Sequence, residues 1–197
     1  MTTEENRTKE YNLTPLSFGE GLGVKPTKIA IVGPESSGKS SITKGLAQHF
    51  NSLWVPEYSR FYCANLNRDC TIQDEINMFY GQVALEEAIL SVVKNDLLFC
   101  DTTFMTVKIW CNHQFGECPL MVSEELTKRQ YDFYLLLKND LPWEDDPLRN
   151  FKGMGDYFLE IWRNELENIN ANFVEIGGTE TRLPNAINAV NHFLKNR

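Results

Sequence analysis

The apolar run Ile29-Ala30-Ile31-Val32 passes without a gap into Gly33-Pro34-Glu35-Ser36-Ser37-Gly38-Lys39-Ser40, a complete G-x-x-x-x-G-K-[ST] loop. This junction leaves few folds open. A buried parallel strand has to end there, backbone amides have to turn inward around phosphate oxygens, and a helix has to start with its positive end facing the same anion. Glycines at both ends keep a Cβ out of the turn. The backbone of Gly33, Glu35, Ser36, Ser37 and Gly38 then forms the cradle, and Lys39 reaches the β- and γ-phosphates. The Ser40 hydroxyl is placed to hold Mg²⁺, with Ser41 next on the helix toward the α-phosphate. A glycine-rich turn with a solvated lysine is the bland alternative. The strand before and the helix after argue against it, so a nucleoside triphosphate is the expected ligand.

Charge narrows the partners. The chain has 19 Lys and Arg against 27 Asp and Glu, a net charge of −8. Binding a nucleic-acid backbone needs clustered cations, so a small-molecule substrate is the expectation and nucleic acid is not. No apolar run has membrane-spanning length and Met1 to Lys9 is too polar for a signal peptide, so no membrane partner and a cytoplasmic location are expected. Five cysteines at irregular spacing (Cys63, Cys70, Cys100, Cys111, Cys118) suit a reducing compartment. Cys111, His113 and Cys118 give three zinc donors without a C-x-x-C pair, and we read them as ordinary residues.

Met1 to Pro26 is polar, is punctuated by Gly19, Gly21, Gly23 and Pro26, and has no hydrophobic period. It reads as a flexible tail ahead of one domain over 27–197. Within the domain, strands are expected at Ile29–Val32, Leu53–Val55, Leu97–Cys100, Phe133–Leu137 and Phe173–Ile176. Helices are expected at Ser41–Phe50, from a capping Thr71 to about Lys94, and at Thr103–His113, Ser123–Gln130, Gly155–Asn168 and Leu183–Leu194. Apolar strands alternating with helices predict a three-layer α/β fold, a five-stranded parallel sheet covered on both faces. Ligands then collect beyond the carboxyl ends of the strands.

Three strand ends carry suitable chemistry. Asp101 closes an apolar strand in the Walker-B manner, where a carboxylate holds Mg²⁺ opposite Ser40. As a helix N-cap it would serve a compatible structural role. Glu57 is placed to accept a proton from an attacking hydroxyl or to fix a sugar hydroxyl, or else is a surface acid paired with Arg60. The Pro142–Gly155 stretch carries Arg149 and Lys152 and reads as a lid over the phosphates, against the alternative of a solvated connection. Trp143 favours the lid, since an indole in a loop needs something to pack on.

Together, the phosphate loop, Val55-Pro56-Glu57-Tyr58-Ser59-Arg60, Cys100-Asp101-Thr102, Phe115-Gly116, Pro142-Trp143-x-x-Asp146-x-x-Arg149 and the Gly177–Arg182 segment resemble the ribosylnicotinamide kinase domain of bacterial NAD-salvage proteins. That domain is a P-loop nucleoside-kinase-like unit of the AAA type, and the resemblance runs from Lys28 to about Ala189. It implies ATP- and Mg²⁺-dependent transfer of the γ-phosphoryl group to the 5′-hydroxyl of nicotinamide riboside. It also implies that Glu57 and Asp101 face the ribose and the reacting hydroxyl, with Tyr58, Arg60 and Thr102 nearby. Arg149 would sit over the phosphates and Gly177 by the adenine. Well-known members carry a tryptophan where this chain has Pro56, so ring stacking falls to Tyr58, Trp110 or Phe115. A proline also replaces the usual lid glycine at Pro147. The mononucleotide is the expected end product, its adenylylation left to another protein.

Phosphoryl transfer needs in-line positioning and neutralised charge, supplied here by Lys39, Arg149 and Mg²⁺ on Ser40 and Asp101. Glu57 or Asp101 orients the hydroxyl, and Glu57 is the favoured base because Asp101 is engaged by the metal. Two other readings stay open. One is a kinase of the same architecture acting on another nucleoside, vitamin or small alcohol; the other is a nucleotide-gated regulatory module.

Overall fold

A computed structural model describes residues 25–64 and 66–197, and the expected tail lies outside them except for Lys25 and Pro26. In chain order the elements are β1 (Thr27–Val32), α1 (Lys39–His49), β2 (Leu53–Val55), α2 (Tyr58–Cys63), α3 (Ile72–Leu90) and β3 (Leu97–Asp101). They continue with α4 (Met105–Phe115), α5 (Leu120–Lys128), β4 (Phe133–Leu137), α6 (Gly155–Asn168), β5 (Phe173–Ile176) and α7 (Arg182–Lys195). All four strand pairings are parallel, in the order β2-β3-β1-β4-β5. This is the five-stranded α/β sheet read from the pattern, with β4, α6 and β5 falling on the expected bounds.

Pleating sorts each strand to two faces. Ala30, Val32, Leu98, Cys100, Tyr134 and Leu136 pack with Phe79, Phe104, Phe158 and Trp162 from α3, the turn before α4, and α6. Ile29, Ile31, Phe99, Phe133, Leu135 and Leu137 pack with Ile42 and Leu46 of α1 and Ala186 and Val190 of α7. Each fully buried aliphatic side chain here contributes on the order of 2 kcal/mol, which holds the strand ends in fixed register under the loops they carry.

One buried ion pair crosses the first of these layers. Lys28 Nζ donates to Glu86 Oε1 at 2.9 Å, the Tyr131 hydroxyl donates to Glu86 Oε2 at 2.7 Å, and the ammonium lies 4.4 Å from the Tyr131 ring centre. Both charges are thereby paired and hydrogen-bonded, the condition under which burial is tolerated.

Local differences from expectation have local causes. α2 is not among the expected helices, because its six residues span fewer than two helical turns, too short for a hydrophobic period to register. α3 stops at Leu90 instead of running to about Lys94, while its Thr71–Asp74 capping box is present. α5 starts at Leu120, directly after Pro119, whose fixed φ suits a helix entrance. Among the described residues no helix is long and apolar enough to cross a membrane, and no three His, Cys, Asp or Glu side chains cluster as a metal site.

Candidate active site

β1 is the middle strand, with β3 and β2 on one side and β4 and β5 on the other. Its carboxyl end is therefore the point where chain connections diverge, and a cleft opens there. The cleft holds about 750 Å³, within the range of small-molecule sites, and is lined by the phosphate loop, the β2 and β3 exits, the lid and the turn before α7.

The loop's shape depends on its glycines. Gly33 has φ 139°, and a Cβ there would stand 2.7 Å from the Leu137 carbonyl oxygen. Gly38 has φ 83° and opens α1, which has no acidic residue in its first turn and no side-chain cap. α3, by contrast, is closed by its own capping box. The first-turn amides of α1 therefore suit an anion supplied from outside. The Ser37 hydroxyl donates to the Pro34 carbonyl at 2.8 Å and stiffens the turn. Lys39 Nζ folds across the mouth and donates to the Gly33 carbonyl at 3.0 Å and the Pro34 carbonyl at 2.7 Å. Burial lowers its pKa, while Glu57, Asp101 and Glu35 act to raise it. A polyphosphate in the cradle would compete for this ammonium with far stronger acceptors.

Asp101 ends β3 at 2% exposure, and its Oδ1 has no hydrogen-bond partner among the described residues. Burial pushes its carboxyl up to about 6; the Ser40 hydroxyl draws it down and Glu57 pushes it further up. A buried orphan carboxylate oxygen beside a hydroxyl on the adjoining helix fits a hard divalent cation, which prefers oxygen donors. Thr102 follows with φ 73°, strained for a β-branched residue. It is held by its N–H to the Ile31 carbonyl at 3.0 Å and by its hydroxyl to that of Thr106 at 2.7 Å. Glu57, at the β2 exit, lines the cleft and also pairs with Arg60 at 3.4 Å, while the Ser59 hydroxyl donates to it at 2.9 Å. Glu57 thus pairs with Arg60 and at the same time faces the cleft.

The lid is tied to the loop and to α2. Glu35 turns its carboxylate to the lid, where the N–H groups of Phe151 and Asn150 donate at 3.0 and 3.2 Å. Burial raises the Glu35 pKa against those donors and the Lys39 and Arg149 charges. Ser36, at φ 59°, accepts from the Glu144 N–H at 2.9 Å. Arg149 Nη1 lies 3.4 Å from the Ser36 hydroxyl, so its guanidinium sits against the cradle. Arg60 bridges to Asp146 at 2.8 Å. Trp143 Nε1 donates to Asp145, and Lys152 pairs with Asp145 on the outer side, away from the cleft.

Several expected residues are elsewhere. Tyr58 does not line the cleft: its ring lies over Gly81, and its N–H donates to Gln82 Oε1 at 2.7 Å. Phe115 is also absent from the lining. Trp110 does line the cleft, but Phe151 stacks on it at 4.9 Å and 17° and Phe158 meets it edge-on, so one indole face is already covered. Gly177 lies under Asp140 and Lys138, and the neighbouring Thr179 and Glu180 line the cleft in its place. Arg182, a residue given no role from sequence, is 2% exposed and joins three segments. It donates to the Ser37 carbonyl at 2.7 Å, the Lys138 carbonyl at 3.2 Å and the Gly178 carbonyl at 3.0 Å, and it pairs with Asp140. The signal available for it was an arginine at the start of an amphipathic helix, which ordinarily faces solvent.

The model of the family described as an AAA domain matches residues 28–182. The trifunctional NAD biosynthesis/regulator protein NadR of Salmonella typhimurium is 32% identical over 155 residues, covering 75% of this chain and 37% of that protein. NadR of Escherichia coli is 34% identical over 158 residues, again covering 75% of this chain and 37% of that protein. The chain thus spans little more than a third of the curated relatives it matches. Among solved structures, NadR in complex with NR superposes with a TM-score of 0.73 at 19% identity, covering 86% of this chain and 51% of that one. Thymidylate kinase from Ehrlichia chaffeensis gives 0.60 at 12%, covering 87% and 100%. Deoxyadenosine kinase from M. mycoides gives 0.54 at 13%, covering 84% and 100%. The fold is that of the P-loop nucleoside and nucleotide kinases.

Proposed function

The chain belongs to the AAA domain family, and on that premise we propose that it moves the γ-phosphoryl group of ATP to the 5′-hydroxyl of nicotinamide riboside, giving nicotinamide mononucleotide. The observation that carries the reading is one cleft lined by the Lys39 cradle, Glu57 and Thr102, with Asp101 buried at the end of β3 directly before Thr102 and room continuing past Glu57 toward Cys63 and Glu75 for a second substrate. The relatives that are 32% and 34% identical over the aligned part of the chain are NAD-biosynthesis proteins, which supports the choice of acceptor.

The domain proposed for 27–197 contains every residue the reaction needs. The amides from Gly33 to Gly38, with Ser41 at the start of α1, bind the phosphates, and Lys39 leaves its loop carbonyls for the β/γ oxygens. Ser40 and Asp101 would hold Mg²⁺, which when bound neutralises the phosphate charge. Arg149, already against the cradle, meets charge developing on the transferring group. Glu57 takes the hydroxyl proton, and Arg60 and Ser59 fix its carboxylate. Arg60 and Thr102 flank the acceptor. Trp110 offers the acceptor ring an edge or its one remaining face. Closure of the lid, anchored by Glu35, excludes water that would otherwise take the phosphoryl group.

ADP release is to be followed with Mg-ATP and acceptors supplied one at a time. Stimulation by nicotinamide riboside and its loss by at least about a hundredfold in Lys39→Ala, with the circular-dichroism spectrum unchanged, is the expected result. Stimulation by a different acceptor alone, or slow turnover independent of any acceptor, refutes the assignment.

A further inference from the structure

On the β2 side the cleft runs on past Glu57 into a compartment between α2, α3 and α4. Cys63, Met78, Ile109 and Trp110 make part of its wall apolar and soft, Arg68 and Asp69 line it from the loop before α3, and the acid that α3 itself contributes to the wall is Glu75. Glu75 is 4% exposed, and among the described residues its one hydrogen-bond partner is the Cys70 thiol, a weak donor 3.7 Å away. Its neighbour on the helix is fully engaged. Asp74 takes Arg68 at 2.6 Å, the Thr71 N–H at 2.8 Å and the Tyr62 hydroxyl at 2.8 Å. Asp74 therefore closes the helix end and leaves Glu75 with no structural duty there. Such an acid is costly to keep unless a ligand supplies the missing donor or cation.

We infer that Glu75 reads the ring end of the acceptor, accepting a hydrogen bond from an uncharged carboxamide and favouring a cationic ring, while it repels an acceptor whose ring bears a carboxylate. The inference rests on the acceptor class proposed above and adds a specificity-determining residue to that site. Its placement follows from the sheet order. Phosphates occupy the β1 exit and the turn before α7 lies on the β4 and β5 side, so the compartment under β2 and β3 is left for the acceptor.

Burial pushes the Glu75 carboxyl up to about 7, with the Cys70 contact lowering it and Asp74 raising it. The titratable groups around it are Cys63 of α2, Cys70, Asp74 with its partner Arg68, and Cys111 of α4. Burial holds the Cys70 and Cys111 thiols at about 12 and raises that of Cys63. Asp74 is held well below the usual carboxylate range, first by Arg68. Of this set Glu75 alone changes charge near neutrality.

The test uses the full chain with Mg-ATP and either nicotinamide riboside or its nicotinic acid counterpart, measuring kcat and KM for each. At about pH 8.5 the wild type should prefer the amide, and Glu75→Gln should lower the amide-to-acid ratio of kcat/KM by about tenfold or more. The change should sit in the acceptor KM, with the KM for ATP unchanged. Glu75→Asp, which keeps the charge, should retain the preference. In the wild type alone the same ratio should fall as pH is lowered to about 6, a readout that needs no variant to fold. An equal ratio in wild type and Glu75→Gln, or a ratio in the wild type that is flat with pH, overturns the assignment of Glu75. Failure of the wild type to phosphorylate either riboside instead overturns the proposed function.

Discussion

Replacing Glu75 by glutamine should stabilise the ligand-free protein at high pH and not at low pH, because it removes a carboxyl that the fold makes costly to ionise. In the native protein this group titrates at about 7, against an ordinary value of 4.5. At about 1.4 kcal/mol for each tenfold in proton affinity, that gap corresponds to about 3 kcal/mol. The folded protein holds the proton more tightly than the unfolded chain does. Wild-type stability therefore falls relative to the glutamine variant as pH rises from about 4.5 to about 7, and the full difference is present above that window. Glutamine is neutral throughout, so any fixed packing difference between the two side chains shifts the variant's curve without tilting it. Urea unfolding followed by tryptophan fluorescence at a series of pH values measures the difference directly. With a slope of roughly 2 kcal/mol per molar, the two midpoints should separate by about 1 M more at pH 8.5 than at pH 5. Parallel midpoint curves would refute both the burial penalty and the physical basis for ligand selection at Glu75.

Three further outcomes follow from contacts elsewhere. Glu35→Ala removes the acceptor for the Asn150 and Phe151 amides, so the lid should become sensitive to protease and kcat/KM for ATP should fall roughly tenfold; unchanged digestion and kinetics would count against a tethered lid. Gly33→Ala puts a Cβ 2.7 Å from the Leu137 carbonyl in a left-handed backbone, and calorimetry should register a loss of about 3 kcal/mol. Lys28→Met leaves Glu86 charged and without its cation in the core, and denaturant titration should show a cost of roughly 3 to 5 kcal/mol. A loss below about 1 kcal/mol would mean that the Tyr131 hydroxyl suffices for that carboxylate.

Phosphate binding was legible because its information is local. The turn needs glycine at Gly33 and Gly38, the ammonium and hydroxyl must follow at once, and a strand and helix must flank them, so one stretch of ten residues contains the whole requirement. Asp101 could be picked out for a similar reason, since an acid ending a run of buried apolar residues has few structural explanations. Alternating apolar strands and amphipathic helices likewise dictated a parallel sheet with two covered faces.

Other features required the folded chain, because they depend on which distant segments meet. Glu75 and Asp74 are adjacent acids at the start of one helix, and only packing assigns the first to the cleft and the second to the helix cap. Tyr58 looked like a ring-stacking residue beside Glu57, yet the space over Gly81 on α3 takes its side chain away from the cleft. Arg182 lies about 145 positions from the Ser37 carbonyl it binds, and nothing in its neighbours announces that contact. Periodicity and turn chemistry are properties of consecutive residues and are written along the chain. Burial, the partner of a charge and the wall of a cavity are properties of surfaces brought together by the sheet order, and only the tertiary structure decides them.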